Sequence, residues 1–211
     1  PAVMRGVRVV ALRTNPVQYN PVTHELVVTT KYRVTVTFEG QDLRNVPSRQ
    51  RPLSRSWANL MKGASFNGDD NLTDLHEMGS YLIICVNNAS LINDLQPLID
   101  WKNRKGHTVS LQTFTPGATN TQIKSLIQTA YDTWDVPPEY VLLVGDISGS
   151  YILPAWPNTG YTIDFPYSQL DGTDIIADVA LGRLPAATST ELLTMINKIL
   201  SYEQRPYITD P

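Results

Sequence analysis

The sequence predicts an α/β chain in which part of a parallel αβα sheet follows an antiparallel β module. Three observations carry this. Residues 5–13 (RGVRVVALR) and 24–38 (HELVVTTKYRVTVTF) are rich in Val and Thr and partly alternate, with the Pro- and Asn-bearing turn segment NPVQYNPVT between them. From Tyr81 onward, short apolar runs alternate with stretches of helical period. The stretch between, from Gly40 to about Gly79, is polar, broken by Pro and Gly, and without sustained period. The chain therefore divides into a β module at 1–40, a linker at 41–79 and an α/β domain at 80–211.

Taken in order, the linker holds a short helix around Trp57 to Met61. YLIICVN (81–87) reads as an apolar strand. SLINDLQPLIDWKNRKG (90–106) places Leu91, Leu95, Leu98 and Trp101 at helical spacing before Gly106 as a C-cap. HTVSLQTF (107–114) alternates as a second strand. Thr119 and Gln122 make a capping box that opens a helix through Ile123, Leu126, Ile127 and Tyr131. YVLLVGD (140–146) is a third strand, and IIADVALGR leads into or forms another. A second capping box, Thr188 with Glu191, starts the last helix, with Leu192, Ile196, Ile199 and Leu200 on its apolar face. Right-handed crossovers between parallel strands follow, with functional groups expected at the strand carboxyl ends.

Composition narrows the function classes. The 211 residues are 42% hydrophobic, enough for a real core, and no run approaches the ~18 apolar residues of a membrane span. PAVMRGVRVV lacks the apolar core of a signal peptide, so a signal in an exported parent would lie upstream. With Cys85 as the single cysteine, neither a disulfide framework nor a cysteine-rich zinc site is available. Residues 1–75 carry 10 Lys/Arg against 6 Asp/Glu, and residues 76–211 carry 7 against 14. Opposite signs suit two modules that pack on each other, although solvated surface charge is the commoner source of such a split. No basic stripe with interleaved aromatics marks a nucleic-acid partner.

Among candidate sites, the sharpest is acidic. Asp146 closes one strand, and Asp171, Asp174 and Asp178 follow on a loop entering the next. Carboxylates in an apolar setting must be paired, hydrogen-bonded, protonated or metal-bound. Several oxygens on a bend suit a hard cation such as calcium, although the spacing is not that of an EF-hand, and turn formation or capping explains the same residues. Cys85, in the middle of YLIICV, reads as a small buried hydrophobe and not as a nucleophile. His107 reads as structural, and His24 and His76 fall in a turn and the linker. VGDISG (144–149) lacks both phosphate-binding glycine patterns, and a receiver-like phospho-acceptor Asp146 lacks an acidic pair after the first strand. Arg49, Arg51, Arg55 and Lys62 offer cleavage points to a protease, and equally suit a solvated linker. The sequons Asn71-Leu-Thr73 and Asn88-Ala-Ser90 are short enough to arise by chance.

LQPLIDWKNRKGHTV (95–109), the T-x-x-Q helix, WDVPPEYVLLVGD (134–146) and DGTDIIADVALGRLPA (171–186) together resemble the first part of the catalytic domain of gingipain-type cysteine peptidases, which have a caspase-like fold. VRVVALRTNPVQYNPVTHELVVTTKYRVTV resembles the C-terminal part of that family's β-rich propeptide. The resemblance implies a secreted or cell-surface zymogen acting on protein or peptide substrates, with its catalytic His and Cys beyond residue 211 and the remaining half of the catalytic domain as partner. It also implies a calcium site: Asp146, Asp174 and Asp178 match side-chain ligand positions, and Asp171 and Ile176 match positions that contribute backbone oxygen. Asp178 stands where a Glu can occur. A rival of another class is a non-catalytic binding or secretion-associated protein that has lost the dyad, and the sequence after residue 211 discriminates the two.

Overall fold

The structure is a computed structural model that describes residues 1–37, 39–47, 53–67, 75–76 and 78–205. Arg49, Arg51, Asn71 and the side chain of His76, all weighed above, lie outside the described residues.

The amino-terminal module consists of two small antiparallel hairpins. In the first, β1 (Ala2–Met4) pairs with β2 (Val7–Val9), Met4 opposite Val7. The two residues between them, Arg5 and Gly6, have φ of 47° and 76°, the left-handed pair of a type I′ turn. The second joins β3 (Val17–Asn20) to β4 (Glu25–Val28), every residue of which is exposed. This corrects two expectations. Residues 5–13 are not one strand, because the Arg-Gly turn reverses the chain at its start. Half of the turn segment NPVQYNPVT is itself strand, and the strand expected over 24–38 is regular only to Val28.

The linker is more ordered than its polarity implies. β5 (Leu53–Ser54) pairs in parallel with β6 (Leu75–His76). Between them α1 (Arg55–Ala64) buries Trp57, Ala58 and Met61, and the Ser54 side chain caps it by accepting from the Trp57 N–H. Leu60 on the same helix stays exposed, so the buried stripe is only three residues, too short to stand out as a period.

The α/β domain follows its pattern closely. β7 (Tyr81–Val86), α2 (Ala89–Arg104), β8 (Val109–Phe114), α3 (Asn120–Thr133) and β9 (Tyr140–Val144) succeed one another. A small hairpin of β10 (Trp156–Asn158) and β11 (Tyr161–Ile163) and a 3₁₀ turn (Phe165–Ser168) then lead to β12 (Ala180–Leu184) and α4 (Ser189–Gln204). β7, β8, β9 and β12 form one parallel sheet in the order β12-β9-β7-β8. The chain moves outward from β7 to β8 and then back across β7 to β9. Right-handed crossovers therefore place α2 and α3 on opposite faces, and α2 packs against α4 on one of them. Both capping boxes are present, at Thr119/Gln122 and Thr188/Glu191. Leu82, Ile83, Ile84 and Cys85 of β7 are fully buried, as are Leu91, Leu95 and Leu98 of α2 and Ile123 and Ile127 of α3. A central strand covered on both faces loses the alternation of a half-exposed one, which is why YLIICV is continuously apolar.

Two features of this core have testable consequences. On the α2–α4 face, Glu203 accepts from Lys102 Nζ (2.7 Å), Lys105 Nζ (2.9 Å) and Trp101 Nε1 (2.8 Å). Burial alone would raise the Glu203 pKa, but these hydrogen bonds outweigh it and hold the carboxyl at about 2, below the ordinary 4.5. A carboxyl with a lowered folded pKa stabilises the fold above its unfolded pKa, and that stabilisation is lost as pH falls from about 4.5 through about 2. Thermal midpoints titrated through that window should fall more steeply for the native chain than for Glu203→Gln; parallel curves would show that the clamp contributes nothing. Burial also pushes the Cys85 thiol up to about 12. Iodoacetamide at pH 8 should leave it unmodified in the folded chain and alkylate it fully after denaturation, whereas native-state reaction at the rate of an exposed thiol would contradict its place in the core.

Candidate functional site at the amino end of the sheet

Parallel strands give the sheet two chemically different ends, and the predicted acidic residues divide between them. β9 and β12 run side by side with Tyr140 opposite Ala180 and Val144 opposite Leu184. Asp146 follows β9 at the carboxyl end, where its Oδ1 accepts from the Ile147 N–H (2.7 Å). Asp178 precedes β12 at the amino end. The five residues of β9 alone span about 16 Å at roughly 3.3 Å each, so Asp146 and Asp178 do not share an ion. Asp171 accepts from the Tyr131 hydroxyl (2.9 Å). Among the described residues, no three His, Cys, Asp or Glu side chains stand together as a group that could hold a metal ion. Asp146, Asp171, Asp174, Ile176 and Asp178 thus do not assemble as one cage. Nearness in sequence to two strands does not say which end of each strand a residue occupies.

Asp174 and Asp178 instead hold the amino-terminal hairpin. The Val3 N–H donates to Asp174 Oδ2 (2.7 Å) and the Arg5 N–H to Asp178 Oδ1 (2.9 Å). Successive N–H groups of a strand point to opposite edges, so residues 3 and 5 present theirs on the edge that β2 does not use. The loop's own backbone completes the arrangement. Ile176 N–H donates to Asp174 Oδ1 (2.8 Å), and Leu170 and Asp171 N–H groups donate to Asp178 Oδ2 (both 2.8 Å). Asp178 is fully buried. Burial pushes its carboxyl pKa up from the ordinary value, and the three N–H donors oppose that.

The Arg5 side chain goes deeper. It is 1% exposed and sits among backbone carbonyls: Nη1 donates to Pro138 O (2.7 Å) and Asp178 O (3.3 Å), and Nη2 to Pro137 O (3.0 Å). Glu139 Oε1 stands 3.6 Å from Nη2, itself 2% exposed. The guanidinium lies 5.6 Å from the Trp57 ring centroid and 5.9 Å from that of Tyr131, within cation–π range. Glu139 Oε1 also accepts from the Ser54 N–H (2.6 Å), which ties in the start of α1. Its other oxygen, Oε2, is buried without a hydrogen bond among the described residues, and a Cβ at Gly79 would fall 1.9 Å from it. Only glycine leaves Glu139 its place. Removing one partner of such a buried pair typically costs about 3–5 kcal/mol, because the other charge is left unpaired.

Asn45 seals the edge of the site. Its Nδ2 donates to Pro1 O (2.9 Å), and its Oδ1 accepts from the Thr173 N–H (3.0 Å). Arg5, Asn45, Trp57, Gly79 and Glu139 were not anticipated from the sequence, where each is one ordinary residue in a turn, linker or strand start. The single available signal was the Arg5-Gly6 dipeptide between two valine-rich runs. The remaining candidates are structural: His107 bonds Gly79 O through Nδ1 (2.8 Å) and packs against Tyr81 and Tyr140. The Tyr19 hydroxyl pairs with His24 Nδ1 (2.8 Å). The arrangement binds amide groups and a guanidinium, and no nucleophile and base are paired in it.

Comparison with known proteins accounts for this division of labour. The model of Peptidase family C25 matches residues 74–210 and that of Propeptide_C25 matches residues 1–53. Lys-gingipain of Porphyromonas gingivalis is 32% identical over 216 residues, covering 95% of this chain and 12% of that protein. Gingipain R2 of the same organism is 26% identical over 220 residues, covering 97% and 28%. The chain thus spans less than a third of the length of these curated relatives. The solved complex of the Porphyromonas gingivalis RgpB pro- and mature domains is similar with a TM-score of 0.53 at 26% identity, over 59% of this chain and 29% of that one. The crystal structure of the Arg-specific cysteine proteinase gingipain R (RGPB) gives the same score and identity over 60% and 29%. With a propeptide segment docked through Arg5 onto the starts of β9 and β12 in the peptidase segment, the chain belongs to peptidase family C25, the gingipain-type cysteine peptidases.

Proposed function

We propose that this chain is the propeptide remnant and first catalytic subdomain of a secreted cysteine endopeptidase zymogen, whose catalytic His and Cys lie beyond residue 211. The observation that carries the reading is the order of the two family matches, propeptide at 1–53 and peptidase at 74–210, with the first docked on the second through buried contacts. Cys85 supports it from the other side, since a fully buried thiol pushed up to about 12 supplies no thiolate. In the complete enzyme, a thiolate attacks the peptide carbonyl, an imidazole moves the proton and backbone amides stabilise the oxyanion. The part assigned to this stretch is scaffold and latency. Residues 1–75, with 10 basic against 6 acidic side chains, face residues 76–211 with 7 against 14, and the β module at their start acts as chaperone and inhibitor. Among the described residues, no helix is long and apolar enough to cross a membrane, which is compatible with export to the cell surface or medium.

Calcium, implied by the resemblance, does not fit the five positions as one set, and no step of the reaction runs through it. A narrower reading rests on the sequence alone, which places Asp171, Asp174 and Asp178 within eight residues of one loop. In thermal unfolding, calcium should raise the midpoint above that in chelator, and Asp174→Ala should abolish the difference. Equal midpoints in the native chain would end the calcium reading.

The peptidase reading is tested on the precursor that carries this chain together with its downstream sequence. Peptide hydrolysis should be absent until the segment between residues 53 and 74 is cut and residues 1–53 are released. Hydrolysis should then be abolished by iodoacetamide. Full activity with the propeptide attached would overturn latency, and no activity after release would overturn the peptidase assignment.

A further inference from the structure

We propose that the carbonyls of Pro137, Pro138 and Asp178, with Glu139 and the rings of Trp57 and Tyr131, form an arginine-receiving exosite, and that the hairpin tip bearing Arg5 is the plug that retains the propeptide. The ligand class is an arginine at the tip of a β-hairpin, read by side chain and backbone together. This deepens the zymogen reading and rests on it for its biological role.

Four independent observations converge. The first is conformational: Arg5 has φ 47° at a turn position that favours Asn, Asp or Gly. A non-glycine residue held in the left-handed region is retained where surrounding contacts over-determine it, and such residues gather at functional clamps. The second is burial, since a 1% exposed arginine at the tip of a two-stranded hairpin is surrounded by another module and not by its own. The third is donor geometry. Three carbonyl oxygens lie in reach of Nη1 and Nη2, a planar fork that lysine cannot reproduce with a single ammonium. The fourth is the backbone, where Asp174 and Asp178 accept from N–H groups of residues 3 and 5 and so read an extended strand beside the arginine.

The exosite stands at the amino end of the sheet, whereas catalytic groups in open α/β sheets gather beyond the strand carboxyl ends. Retention is therefore separable from occlusion of the catalytic cleft. A precursor cut in its linker keeps its propeptide as long as the plug is seated, and an arginine-tipped hairpin of another molecule competes for the same pocket.

Hydrogen–deuterium exchange on the full 211-residue chain tests this without any activity readout. In Arg5→Lys and Arg5→Met, exchange at residues 1–9 and 170–178 should quicken at least tenfold while β7 and β9 stay as protected as in the native sequence. A synthetic hairpin of residues 1–10 should restore protection of 170–178 in the Arg5→Met chain, and the same peptide with Arg5→Lys should require at least tenfold higher concentration. Unchanged exchange in both variants, equal rescue by the two peptides, or loss of protection throughout β7 and β9 would each overturn the proposal. If the plug behaves as described but the propeptide does not silence the enzyme, the exosite stands and the latency reading falls.

Discussion

A guanidinium removed from water must find a full set of acceptors, and most of the contacts between the two modules follow from how Arg5 meets that requirement. Its donors reach the carbonyls of Pro137 and Pro138 just before β9 and of Asp178 just before β12. The starts of two neighbouring parallel strands are thereby linked by a residue that belongs to neither. Glu139 balances the charge and, through the Ser54 N–H, brings in the start of α1, whose Trp57 ring covers the guanidinium. Tyr131 of α3 flanks the same group and donates to Asp171. Sequence separations of more than 130 residues close in one place, so the hairpin, linker helix and sheet are ordered together.

The opposite end of the sheet has its own arginine. Arg183 of β12 donates through Nε and Nη2 to both oxygens of Asp164 (2.7 and 2.6 Å), and through Nη1 to Gly145 O (2.7 Å) and Leu153 O (3.0 Å). This fork holds the bend after β9, where Gly145 at φ 136° leaves no room for a side chain: a Cβ there would lie 2.2 Å from Tyr151 O. The carboxyl end is thus held rigid from within the α/β domain, and the amino end is completed by the β module. Such a split suits a protein whose chemistry belongs at one end and whose restraint is applied at the other.

The α/β domain was legible because its signals are local. Capping boxes at Thr119 and Thr188 need only four residues, and continuous apolar runs such as YVLLV mark buried parallel strands without reference to partners. The β module was less legible. A tight turn at Arg5-Gly6 inside valine-rich sequence hides one hairpin, and residues 29–37 keep strand composition without a ladder. The acidic group was half legible: loop carboxylates near strand starts do become buried or hydrogen-bonded, but by backbone amides of the first five residues, which no local pattern could pair with residues 174 and 178.

By itself the sequence determined the alternation of strands and helices, the inert character of Cys85 and, through ordered motifs, the kinship with gingipain-type peptidases. All of these depend on residue type and near spacing, since periodicity and capping act over a few residues. Tertiary structure alone decided that Asp146 and Asp178 occupy opposite ends of the sheet, that Glu139 and Gly79 fit one against the other, and that Arg5 is buried. Those outcomes rest on strand direction and on which distant segments exclude water together, and desolvation is a property of the packed whole.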